Sequence, residues 1–494
     1  MLQTFKNAWK IPDLRKKMIF TLIIVLIYRI GVAIYVPFVN VEAISTTTSL
    51  SNGLFGMINL FSGGSFEQAT LFALSVSPYI TASIVMQLLT IAIPALERLS
   101  KEGEEGKKKI NKITRIVTML LALITSYGYV KLLDANNLLN ISHNVTRGAA
   151  KGKFLWIQLY HHTHTYSALN GGTVTLDVDK KFYFPYYFQM LVMIACFCAG
   201  AAIIMWLAER INERGIGNGI SIILFANIIS RGGRMVTELR NLLLDTNSTN
   251  YAVTAPFKKG SELAIGLVEV ISFIVVFIAV IGLIVWFTNS ERRIPIQYAK
   301  RVVGRKMYGG QSSNLPLKLN MAGVMPIIFA SSIVSILPTI AGFFSTTDAN
   351  GKAIGTNGFS KFVLKYLSSG TSIYIAAFII LIIAFSYFYI MISFNPIEVA
   401  NNIRSNGGSI PGIRPGKPTS DYIKKILNRI TTLGAIFLIV VAGIPMIIGA
   451  ALPDFATLAT FGGSSLLIVV GVALETTHDI EAQMTMRNYK GFLD

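Results

Sequence analysis

The stretch "GISIILFANIIS", residues 219–230, decides the fold. It is almost wholly apolar, yet at about twelve residues it is short of the roughly 20 that a helix needs to cross a bilayer. Whether it spans sets the side of every loop that follows. Other apolar runs fall at 18–36, 70–94, 116–133, 186–207, 262–288, 321–344, 373–393, 430–450 and 459–477. All of them read as helices, because lipid offers no partner to an unpaired backbone group. Counting 219–230 as a span puts 29 Lys and Arg on one side of the membrane and 13 on the other. Omitting it gives 22 against 20, and the positive-inside bias nearly vanishes. Ten spans, with both termini in the cytoplasm, is the reading the charges favour.

The bulk composition agrees with an all-α polytopic membrane protein. Of 494 residues 52% are hydrophobic and only 14% charged, with mean hydropathy +0.57. The net charge of +19 suggests nucleic acid in a soluble chain, but in a membrane protein Lys and Arg are first of all orientation signals. Cys196 and Cys198 lie one residue apart in an apolar run, too close to pair easily and too few for a zinc site, so they read as packing. The leader, 1–17, sets Phe5 and Trp9 four apart among Lys6, Lys10, Lys16 and Lys17, as an interfacial helix on the inner leaflet does. The span after it is too long for a signal-peptide core and stays in the mature protein.

Several motifs lead nowhere. "PGIRPGKPT" at 411–419 has Pro411 and Pro418 where a phosphate loop needs Gly and Ser or Thr. "GIGNG" at 215–219 lacks a preceding strand and reads as the cap between two helices. His161, His162 and His164 lie in a polar loop with no Cys, Asp or Glu close by in sequence, which favours a solvated loop over a metal site. Glu269 and Glu475 sit near span ends. Arg29, well inside the first span, is expensive in lipid and is expected to face the bundle or a wet cavity, or else to snorkel outward. With no nucleotide or metal motif the chain reads as a non-enzyme without a cofactor.

One stretch interrupts itself: "GMINLFSGGSFEQATLFALSVSPYI", 56–80, begins like a span and breaks at Gly63-Gly64. Together with "ERINERGIGNGISIILFANI", "YAKRVVGR", "LPLKLNMAGVMPIIFASSI", "FNPIEVANN", "PGIRPGKPT" and "FGGSSLLIVVGV", each in the matching topological place, it resembles the SecY family. Members of that family are the central subunit of the bacterial protein-conducting channel. The resemblance implies two five-helix pseudo-symmetric halves around a central pore, 18–250 and 251–477, with a cytoplasmic tail at 478–494. It also implies that 54–65 is a plug re-entering the pore, which assigns that role to Leu54, Phe55, Met57, Ile58, Leu60, Phe61 and the hinge Gly63-Gly64.

The same resemblance implies a pore ring of Ile80, Ile84, Ile220, Leu224, Ile328 and Ile468. All six are aliphatic, and Ile80/Ile84 and Ile220/Leu224 are i,i+4 pairs that stack on one helix face. It implies a lateral gate in which Ser83 and Gln87 meet Ser331, Ser332 and Ser335 through weak polar contacts. The basic loops 289–318 and 394–429, with Arg292, Arg293, Lys300, Arg301, Arg305, Arg414, Lys417, Lys424 and Lys425, are expected to dock the SecA ATPase or the ribosome. SecE and SecG subunits, secretory and membrane-protein polypeptides, and lipid complete the implied partners, in a bacterial plasma membrane. The alternative is a secondary transporter for a small solute, which calls for a polar or carboxylate site at mid-membrane.

Overall fold

A computed structural model of the protein describes residues 2–40, 59, 62–135, 138–139, 158–167, 173–183, 186–243, 261–298, 301–303, 306–308, 312–343, 345–347, 353–355, 357–367, 371–451 and 463–490. Its elements are, in order, α1 (Leu2–Lys10), α2 (Pro12–Val32), α3 (Ser77–Ala92), α4 (Pro94–Lys101), α5 (Glu104–Ala135), β1 (Gln158–Ser167), β2 (Thr173–Tyr183), α6 (Tyr186–Arg214), α7 (Gly219–Ser230) and α8 (Gly232–Leu243). There follow α9 (Ser261–Asn289), β3 (Glu291–Tyr298), β4 (Arg301–Val303), β5 (Lys306–Tyr308), β6 (Ser312–Lys318), α10 (Met325–Phe343), β7 (Ser345–Thr347) and β8 (Ala353–Gly355). The chain ends with α11 (Gly358–Tyr366), α12 (Ser372–Ser393), α13 (Pro396–Ser405), β9 (Gly408–Ser409), α14 (Lys417–Ala451) and α15 (Ser464–Lys490).

A helix stands on each of the ten apolar runs. Six stretches among the described residues are long and apolar enough to span by themselves, and a seventh if the bent pair α3–α4 is one span. The doubtful fifth run gains its length from its neighbour: Gly219–Thr237 passes as one stretch of 19 residues, carried from α7 into α8. Between α3 and α4 the chain turns by 101°. The cause is local, since Pro94 forces Ile93 into the extended region (φ −108°, ψ 113°) and the helix cannot continue through it.

The second apolar run does not become helix along its whole length. Residues 63–76 form successive turns, with Ala69 (φ 47°) and Ser75 (φ 50°) in the left-handed region, and α3 starts only at Ser77-Pro78. At the far end of the chain, α15 continues well past residue 477, where its apolar run stops.

The principal core gathers side chains from α2, α3, α6, α7, α9, α10, α12, α14 and α15. A second core joins Val36, Val39 and the turns at 66–74 to α5 and α6. Outside, Leu22, Leu26, Ile30, Val275, Ile278, Trp286 and Met391 are exposed. Such an apolar coat is a liability in water and the expected surface in lipid.

One face of α1 packs on the protein: Ala8 is fully buried with Leu14, Ile216 and Ile480, while Trp9 remains exposed. Helix α1 therefore lies on α15, which brings the two ends of the chain to one face of the bundle.

The basic loops are more than loops. Strands β6, β3 and β9 form an antiparallel sheet, in which Arg292 faces Leu317 and Gln297 faces Ser409. Ile294 and Ile296 alternate with exposed neighbours and are buried with Ile403, Ile410, Ile423 and Leu427. The alternation is what a strand buried on one face requires. The His tract also lies on a strand, β1, where His162 is paired with Val178 and His164 with Leu176 in register with β2.

Candidate functional site: an apolar constriction and its hinge

Four helices deliver the six aliphatic side chains. Helix α3 carries Ile80 and Ile84, α7 carries Ile220 and Leu224, α10 carries Ile328 and α15 carries Ile468. Five of them are buried within the principal core, Ile84 and Leu224 at 1% exposure and Ile468 at 0%, and Ile220 packs against the same cluster. Residues separated by hundreds of positions thus converge in one apolar region. Each fully buried Ile or Leu contributes about 1.5–3 kcal/mol relative to exposure. None of this attraction is directional.

Beside this region the chain between Asn59 and Val76 is held by polar groups. Asn59 is buried and its side chain clasps Glu67 twice: Nδ2 donates to Oε2 at 2.8 Å, and Oδ1 accepts from the Glu67 backbone N–H at 3.3 Å. Ser62 Oγ donates to the Asn59 carbonyl and accepts from Phe66 N, each at 3.1 Å. Tyr129 of α5 donates its hydroxyl to the Phe66 carbonyl, and its ring lies 4.6 Å from that of Phe66 and 5.1 Å from that of Phe197.

Gly63 (φ 66°) and Gly64 (φ 93°) adopt the left-handed geometry that glycine permits without strain. A Cβ on Gly63 would stand 2.8 Å from Asn227 Oδ1 and 3.1 Å from Arg29 Nη1. Arg29 therefore turns inward, toward the hinge and α7. The six plug candidates Leu54, Phe55, Met57, Ile58, Leu60 and Phe61 lie outside the described residues, whereas the hinge glycines lie within them. Asn59, Glu67, Arg29, Asn227 and Tyr129 were not singled out as hinge partners from sequence. Only the polar residues at 65–68, set inside an apolar run, signalled that something there needed hydrogen bonds.

Helix α10 packs against α3 and α5, where the lateral gate was expected. The hydroxyls expected to bridge that seam bond elsewhere. Ser331 and Ser332 donate to the Ile328 carbonyl at 3.0 and 2.7 Å, and Ser335 donates to the Ser331 carbonyl, all within α10. Ser83 shares a hydrogen bond with Tyr79 of its own helix, and Gln87 is half-buried. A serine in a helix satisfies its hydroxyl on the preceding turn more readily than across a gap. Ile80 and Ile84 of α3 and Ile327, Ala330 and Val334 of α10 belong to one apolar cluster.

Of the basic residues, Arg292, Arg293, Arg414, Lys417, Lys424 and Lys425 are exposed, and Arg293 pairs with Glu291 at 2.6 Å. Arg301 lies on β4, while Lys300 and Arg305 are outside the described residues. The β3–β9 pairing welds the two basic loops into one platform, so their charges are presented together.

A family model described as SecY matches residues 70–477. Protein translocase subunit SecY of Streptomyces galbus is 40% identical over the full length of both chains, and that of Corynebacterium glutamicum is 37% identical over all of this chain and 99% of the other. Among solved structures, a protein-conducting channel aligns with TM-score 0.55 at 16% identity, covering 95% of this chain and 92% of its own. Sec61 from a canine ribosome–channel complex of the endoplasmic reticulum aligns with TM-score 0.54, also at 16% identity and with the same coverage.

Proposed function

The chain belongs to the SecY family, and from that premise we propose that it closes its protein-conducting pore with the ring Ile80, Ile84, Ile220, Leu224, Ile328 and Ile468. As a translocase subunit it is a channel rather than an enzyme, and the solute-transporter alternative finds no support among its relatives. The observation that supports the ring is that five of its aliphatic side chains, from four helices, share one buried core, with Ile220 packed against it. A narrow apolar waist excludes ions by dewetting. Because its contacts are dispersive, it parts around a polypeptide of any sequence and recloses behind it.

The segment 54–65 acts as the plug, swinging on Gly63-Gly64 with Asn59–Glu67 as the clasp at its base. Spans one to five and six to ten form the two halves, which separate at the seam between α3/α5 and α10. A hydrophobic client segment leaves there by partitioning, since each Leu or Ile gains about 0.3–0.6 kcal/mol in lipid. The welded basic platform faces the cytoplasm of a bacterial cell, with both termini on that side. It docks the SecA motor or the ribosome, and SecE and SecG complete the complex. Work arrives through those partners or the membrane potential.

Deleting residues 54–65 tests the plug in a planar bilayer. The resting channel becomes ion-leaky while secretory chains still pass. A silent membrane at normal channel density removes the plug from the proposal.

A further inference from the structure

Helix α7 supplies two of the six proposed ring side chains from its first two turns, and the way it is launched is unusual. The first backbone N–H groups of a helix have no acceptor inside it. Side chains take two of them, at Gly219 and Ile220, and two more N–H groups in the turn before the cap Asn218. Ile216 N donates to Thr21 Oγ1 of α2 at 3.2 Å, and Gly217 N to Asp479 Oδ2 of α15 at 3.0 Å. Gly219 N donates to Asn212 Oδ1 of α6 at 2.7 Å, and Ile220 N to its own cap Asn218 Oδ1 at 3.0 Å. Three helices thus converge on four residues of backbone.

The seat is tight. Gly217 has φ 73°, and a Cβ on Gly219 would lie 2.1 Å from the Ala208 carbonyl oxygen, so the backbone approaches its neighbours as only glycine allows. Asp479 is itself held in place: Gln483 Nε2 donates to the same Oδ2 at 3.3 Å, and Gln483 Oε1 accepts from Lys17 Nζ of α2 at 3.0 Å. Ala8, Leu14, Ile216 and Ile480 form the apolar floor under the joint.

Asp479 and Ile468 ride on one helix, about 16 Å apart along its axis at 1.5 Å per residue. The bond from Gly217 to Asp479 joins α7 to α15 across 262 residues, and a carboxylate accepting a backbone N–H is a strong, directional contact. We infer that Asp479, with Thr21 and Asn212, is a positioning residue: the clasp sets the height of Ile220 and Leu224 against Ile468, so that the ring closes. The inference rests on the ring proposed above. It gives the "GIGNG" turn and the end of α15 a task in gating, although neither touches the client chain.

The test uses the full chain with its partner subunits in proteoliposomes, comparing Asp479→Ala, Asp479→Asn and the control Glu481→Ala. Hydrogen exchange over residues 212–222 accelerates in Asp479→Ala but not in Asp479→Asn, which keeps an acceptor, nor in Glu481→Ala. Resting ion leak per channel rises about tenfold in Asp479→Ala, as loss of the acceptor for Gly217 N implies, and stays within about twofold in the other two. Unchanged exchange or unchanged leak in Asp479→Ala overturns the inference, and so does Asp479→Asn leaking as much as Asp479→Ala. If Asp479→Ala does not accumulate, Thr21→Val decides: faster exchange with raised leak supports the clasp, and wild-type behaviour in either readout overturns it. Ile84→Asn separates the two proposals. If it leaks and Asp479→Ala does not, only the clasp fails, whereas a silent Ile84→Asn removes the ring.

Discussion

The proposed ring and the proposed hinge region, residues 59–76, lie in the protein interior, yet they are held in opposite ways. The constriction is aliphatic throughout and depends on packing alone. The hinge buries Asn59, Ser62, Ser65, Thr70 and Ser75, and fixes Gly63, Gly64, Ala69 and Ser75 in left-handed geometry. Apolar packing is non-directional, whereas a hydrogen bond weakens steeply once its angle is lost. A seal that yields to every client is best made from contacts that any apolar surface can replace. A hinge that swings from one place is best made from contacts nothing else can replace.

The sharpest way to break this comparison is to put hinge chemistry into the seal. Ile84→Asn places an amide among aliphatic neighbours at a site that is 1% exposed. Burying it without a partner costs about 1–3 kcal/mol, and its affinity for water favours a wetted pore. Resting leak in a planar bilayer is expected to rise about ten- to hundredfold, with the plug intact. If the membrane stays as tight as wild type, the seal lies elsewhere and the apolar half of the comparison is lost.

The reverse exchange puts seal chemistry into the hinge. Asn59→Leu keeps the number and branching of side-chain heavy atoms and removes both bonds to Glu67, one of them to a carboxylate. The expected cost is about 2–3 kcal/mol, seen as exchange about 30- to 150-fold faster over residues 59–70. A double-mutant cycle with Glu67→Leu sharpens the result, since the pair is expected to cost hardly more than Asn59→Leu alone, which already removes both bonds. Additive costs show that Asn59 and Glu67 act separately, and that no clasp exists.

How much of this was legible in the sequence follows the same division. A helix lies on each of the ten apolar runs, and six of those stretches, or seven with the bent pair α3–α4, are long and apolar enough to span among the described residues, because lipid leaves an unpaired backbone no other partner. They marked the oily interval rather than the helix ends, so α14, which begins at Lys417, and α15, which runs to Lys490, are longer than their runs. The ring was named through family resemblance, since any one aliphatic residue in a membrane helix looks like any other. Residues 70–76 were read as the start of a span, their hydropathy concealing turn geometry in which Ser75 is left-handed. In "RRIPIQ" the alternation of Arg293, Ile294, Pro295 and Ile296 was a legible strand signal hidden by the basic charge around it. The bond from Gly217 to Asp479 had no local signal at all, as its partners are far apart in the chain.

The smallest expected effect probes how soft the seal is. Leu224→Ile moves one methyl group at constant volume in a side chain that is 1% exposed. Isomeric swaps of this kind cost less than about 1.5 kcal/mol once neighbours repack. Five of the six ring positions are already Ile, so the surrounding contacts suit that shape. Resting leak is expected to stay within about threefold of wild type, with secretion of a reporter protein unchanged. A leak as large as that of Ile84→Asn shows instead that the ring depends on an exact fit between neighbouring side chains. The seal and the hinge then differ only in polarity, and the tolerance of the seal for diverse clients needs a source other than the softness of its packing.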